Sequence, residues 1–154
     1  MIFDINTVMK RYQMSEETEE RALRYLKALK LVIGADGDIA DEEWLALEKF
    51  MEKHSVSQQL MQEISAFDIT QSSLEQVLPD YQEDSPRARS LLRDAIEIAR
   101  ADGTYAPEEN AAVMQAARWL GVEKETVLAL EALVEMEAGV YKLKKALLSD
   151  QADN

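Results

Sequence analysis

Apolar residues recur along this chain at steps of three and four, and no stretch alternates polar and apolar as a strand would. The spacing predicts an all-α protein. A short amphipathic extension over residues 1–14 offers Phe3, Val8 and Tyr12 for docking, and Ser15 reads as the N-cap of the next helix. That helix carries Ala22, Tyr25, Leu26, Leu29, Val32 and Ile33 on one stripe and stops at Gly37. Further helices are expected from about Asp41 to His54, from Ser57 to Phe67, and briefly around Ser73–Leu78. Ser85-Pro86 is a cap followed by proline at the first helical position, opening a helix with Leu91, Ala95, Ile98 and Ala99 on its stripe. Ala106-Pro107 opens another, which Gly121 closes. Two more are expected over 124–136 and 139–148, ahead of a loose tail.

The pattern also repeats. Shifting the sequence by 66 residues lays RADGTYAPEE (100–109) on GADGDIADEE (34–43), so Asp36, Gly37 and Glu43 meet Asp102, Gly103 and Glu109. The same shift sets Leu26 on Leu92, Leu29 on Ala95, Val32 on Ile98, Leu47 on Val113 and Val56 on Val122. The economical reading is one domain over 1–154, a single bundle of about seven to nine helices. Its two halves, about 22–67 and 88–133, would be related by a pseudo-two-fold axis.

Gly37 and Gly103 are the structural turn residues, because only glycine takes positive φ without penalty at a sharp helix end. Ile39 and Tyr105 fold back under the turns, and Glu43 and Glu109 fall at about the third helical position, where a carboxylate reaches free N–H groups. Capping therefore accounts for the motif. A second account stays open, because Asp36 and Asp102 continue apolar stripes and Glu43 and Glu109 share theirs with core positions. Four carboxylates gathered at one rim call for a compensating charge, and a divalent hard cation (Ca, Mg or Mn) is the natural one. The candidate metal ligands are thus Asp36, Glu43, Asp102 and Glu109. A true EF-hand is not expected: both copies lack its early acids, having Val32 and Gly34, or Ile98 and Arg100, in those places.

Charge and composition narrow the function. Lys+Arg 17 against Asp+Glu 30 gives −13, which opposes binding to nucleic acid or anionic lipid and favours cations or basic partners. With no cysteine and one histidine, His54, disulfides and the usual zinc sites are excluded. No phosphate loop or catalytic constellation is present, so no enzyme is expected. No apolar run is long enough to cross a bilayer, and MIFDINTVMK does not read as a signal peptide, so a cytoplasmic location is expected. Trp44 and Trp119 read as core or core edge, and the scattered methionines as gap-fillers. YKLKKALL is locally basic, and either docks a partner or second protomer or places positive charge at a helix C-terminus.

AIEIARADGTYAPEE, preceded by RSLLR and followed by an apolar helix ending in LGV, resembles the signature of the tellurite-resistance TerB family, and LVIGADGDIADEEWLALEKFM resembles it again. The resemblance spans about residues 15–136. It implies an all-helical bundle with acidic residues on one face, a non-enzymatic role in stress responses to metal oxyanions and phage, and metal-linked sensing or assembly. It leaves a purely structural protein–protein interaction domain as the alternative. A protein partner or homo-oligomer is expected under either.

Overall fold

The computed structural model describes residues 16–35, 37–80, 83–101, 103 and 105–149, without the side chains of Glu16 and Glu17. The docking extension with Phe3, Val8 and Tyr12, and the Ser15 cap, lie outside these residues. The described chain is all-α: α1 (Glu16–Ile33), α2 (Asp41–Lys53), α3 (Gln58–Ala66), a 3-10 turn (Ile69–Gln71), α4 (Leu74–Val77), α5 (Pro86–Ala99), α6 (Pro107–Trp119) and α7 (Lys124–Leu148).

The helices begin where local chemistry starts them. Ser57 and Ser85 each accept a hydrogen bond from the backbone N–H three residues on, at Leu60 (3.2 Å) and Ala88 (3.1 Å). Pro86 and Pro107 stand in the first turns of α5 and α6, where no N–H partner is needed. The stripes then meet. α1 packs on α5, α4, α6 and α3, while α5 packs on α7, α1, α6 and α2, so α1 and α5 form the centre. Leu29, Leu47, Leu91, Leu92, Ala95, Ile96, Leu120 and Val127 are fully buried there. Each of the larger ones contributes about 1.5–3 kcal/mol by leaving water.

One expected boundary is absent. The helices expected at 124–136 and 139–148 are a single 25-residue helix, α7, running straight through Gly139. A glycine inside an exposed helix costs only about 1 kcal/mol, and nothing lies within 4 Å of where its Cβ would be, so no close approach bends the chain there. Val127 and Val134 bury one face of α7 against the body, whereas residues 135–148 are all exposed.

Candidate functional site: the two ADG corners

The corners share a set of backbone hydrogen bonds among their described residues. At the first, Gly37 (φ 94) donates to the Gly34 carbonyl at 2.9 Å, and Trp44 donates to Ala40 at 2.9 Å as α2 begins. At the second, Gly103 (φ 87) donates to Arg100 at 3.0 Å, and Asn110 donates to Ala106 at 3.0 Å as α6 begins. Ala40 and Ala106 hold the same extended conformation before helices of 13 residues each. The far ends match too: Val56 donates to Met51 beside Ser55 (φ 56), and Val122 to Ala117 beside Gly121 (φ 73). Both turn glycines lie at positive φ.

Glu43 and Glu109 occupy the third position of α2 and α6, and in each the Oε2 oxygen is shielded from solvent. Asp36 and Asp102, the other two candidate ligands, lie outside the described residues. Among the described residues no three His, Cys, Asp or Glu side chains group as a metal site would need. Asp38, in the first turn, is exposed and accepts from its neighbour Ile39 N–H at 2.9 Å.

Around the second corner lies polar wiring that no local pattern in the chain foretells. Tyr105 tucks under the turn with the Arg100 guanidinium 6.0 Å from its ring centroid. Burial pushes the Tyr105 pKa up to about 12; Glu131 and Glu109 add to the shift, and Asn110 and Arg100 oppose it. Asn110 donates to Glu131 of α7 at 3.1 Å, and Arg100 pairs with Glu135 of α7 at 3.1 Å. Burial raises the Glu131 pKa as well, against Arg100 and Asn110. Two links thus fasten this corner to α7.

The first corner is closed by apolar contact and a buried ammonium. A Cβ on Gly34 would overlap Ile69 Cδ1 and lie 3.0 Å from Ile39 Cγ1, so glycine is required there by space. Lys30, only 7% exposed, donates to the carbonyls of Ile64 (2.7 Å), Phe67 (2.7 Å) and Ser65 (3.3 Å), capping the C-terminus of α3. Its ammonium also lies 5.2 Å from the Trp44 ring centroid. Ile96 holds the matching position of the second half, so this cap belongs to one half alone. A cleft of about 500 Å³ beside this corner is walled by Leu31, Gly34, Gly37, Ile69, Ala116 and Trp119. A smaller one of about 290 Å³ gathers Arg21, Arg24 and Arg87 near the Ser85 cap.

Between the corners, Arg93 is a hub. It meets Asp94 and Glu97 at 2.8 Å and Glu137 of α7 at 3.0 Å. Burial works against its charge, but Glu137, Glu97 and Asp94 outweigh that and keep it protonated. Asp94 also accepts from Tyr25, and burial lifts its pKa against Tyr25 and Arg93. His54 caps α2 and lies 4.3 Å from the Phe50 ring; burial lowers its pKa, with Asp94 opposing. The charges of Arg93 and Asp94 thus hold α5 to α7 and α1.

The family model of the tellurite resistance protein TerB matches residues 22–132. The chain belongs to the TerB family. Both ADG corners fall inside that match. Among solved structures, a tellurite resistance protein from Nostoc punctiforme PCC 73102 superposes with a TM-score of 0.73 at 26% identity. That match covers 86% of this chain and 84% of the other. No curated protein matches the sequence. No helix among the described residues is long and apolar enough to cross a membrane.

Proposed function

We propose that this TerB-family chain is a non-enzymatic, cytoplasmic stress-response module of the tellurite-resistance type, whose acidic corners bind a divalent cation. The observation that carries the reading is the pair Glu43 and Glu109. Each stands at the third position of its helix, after a positive-φ glycine turn, with one carboxylate oxygen withdrawn from water. Hard oxygen donors in that setting suit Ca²⁺, Mg²⁺ or Mn²⁺. Glu43 and Glu109 would hold the ion together with Asp36 and Asp102, and the ion would neutralise charge that otherwise repels across the two halves. A pseudo-two-fold arrangement of the halves would make the two corners equivalent halves of one acidic face. The Nostoc relative's name, with its reference to tellurite resistance, supports the physiological setting.

Thermal melts in EDTA and then in each cation test this. A cation at about 100 times its Kd adds about 2.7 kcal/mol, which for a chain of this size is a rise of roughly 5–10 °C. The rise should vanish in the double variant Asp36→Asn, Asp102→Asn. Melts that stay flat with every cation would remove the metal and leave the corners as caps within a protein–protein interaction domain.

A further inference from the structure

Eight of the nine large apolar residues exposed among the described residues lie on α7; Leu45 is the exception. Five of them form a regular seam. Leu133, Met136, Val140, Leu143 and Leu147 recur at alternating steps of three and four, and Thr126 and Ala129 extend the same register backwards. A seam of that period is what two helices need to pack side by side over their length. It spans about 21 Å at 1.5 Å per residue. Their exposures run from 43% at Leu133 to 71% at Leu147. Nothing among the described residues explains a helix that outruns its own core by more than ten residues.

We infer that α7 pairs with α7 of a second copy of this chain, antiparallel, through this seam. Charge picks both the occupant and the direction. With Leu133 and Val140 at one core position and Met136 and Leu143 at the other, the flanks are Glu137 and Lys144 on one side and Ala132, Gly139 and Ala146 on the other. In an antiparallel pair, Val140 faces the partner subunit's Leu143, Met136 faces the partner subunit's Leu147, and the partner subunit's Lys144 comes beside Glu137, joining Arg93 on that carboxylate, twice by symmetry. The small flank lets the backbones approach. In a parallel pair, Lys144 would instead neighbour the partner subunit's Gly139, and Glu137 the partner subunit's Ala132, leaving no charge contact. The chain as a whole is strongly acidic and repels its own copies, but residues 136–148 carry three lysines against one glutamate. The seam therefore sits where that repulsion is weakest.

Sedimentation equilibrium of the full chain tests this, run in EDTA so that the result is independent of any bound cation. A reversible dimer is expected at micromolar concentration. Leu143→Asp, an exposed position in the single chain, should weaken it at least about 100-fold while leaving the helical signal and the melt of the monomer unchanged. Lys144→Glu should weaken it about tenfold by turning two attractions into repulsions. A chain that stays monomeric overturns the proposal, whether the seam is bare or covered by residues 1–15. A dimer indifferent to Leu143→Asp overturns it too, and one lost in Leu143→Asp but indifferent to Lys144→Glu overturns the antiparallel register.

Discussion

Replacing Lys30 by Met keeps the stem's volume and removes only the ammonium. Three carbonyls then lose a charged donor: Ile64, Ser65 and Phe67, at the C-terminus of α3. Hydrogen bonds to a charged group contribute about 1.5–3 kcal/mol each, but burying the ammonium carries a desolvation cost that the variant escapes. The Ile64 carbonyl also keeps a backbone partner, accepting from Phe67 N–H at 3.3 Å. A net loss of about 3 kcal/mol follows, read as a fall of roughly 6–12 °C in the melting temperature. The effect also has a pH signature. Burial lowers the Lys30 pKa below its ordinary 10.5, with Asp68 pulling it back up. The unfolded chain therefore holds this proton more tightly than the folded one, and stability rises with pH between the folded value and 10.5. The Met variant lacks that rise, so the gap between the two proteins widens with alkali inside that window. Calorimetric melts of both proteins across it give the answer. A variant melting within about 2 °C of the parent would refute the assignment of Lys30 as a structural cap, and a gap that narrows with alkali would refute the lowered pKa.

Ser55 sits at φ 56 where Gly121 takes the same part in the second half, so Ser55→Gly should stabilise by about 0.5–1 kcal/mol in chemical denaturation. Gly34→Ala should cost about 1–3 kcal/mol by the same measurement, because its methyl must displace Ile69 and Ile39. Tyr105 ionises at about 12, above its ordinary 10.0, so the unfolded chain loses that proton first and stability falls as pH rises from 10.0 to about 12. Tyr105→Phe should abolish that fall, and an ultraviolet titration of the folded protein should lose one late transition.

The elements legible in the sequence were those written in periodicity and punctuation. Leu91, Ala95 and Ile98 announced α5, and Ser85-Pro86 its start, because apolar spacing and caps act over four residues. The glycine turns at 37 and 103 were legible for the same reason. Gly139 misled because a glycine's effect depends on what lies around it, and here the helix stands in water. The polar wiring was illegible for the opposite reason. Tyr25 with Asp94, Arg93 with Glu137 and Asn110 with Glu131 join residues far apart in sequence, and no local period encodes such pairs. Lys30 left one trace, a charged residue between the buried neighbours Leu29 and Val32, which reads as a solvated stem until its carbonyls are seen.

The two corners differ in what they are attached to. The second is riveted to α7 through Asn110–Glu131 and Arg100–Glu135, at points near the helix's middle. α7 is therefore a lever with its fulcrum at the acidic turn. From Glu135 to the end of the helix at Leu148 the arm is about 20 Å at 1.5 Å per residue. A tilt of about 5° at the fulcrum carries the far end of that arm roughly 2 Å, about a third of the spacing of one helical turn. Whatever rearranges the carboxylates at residues 102–109 is thereby magnified into a displacement of the apolar tip at Leu147 and Leu148.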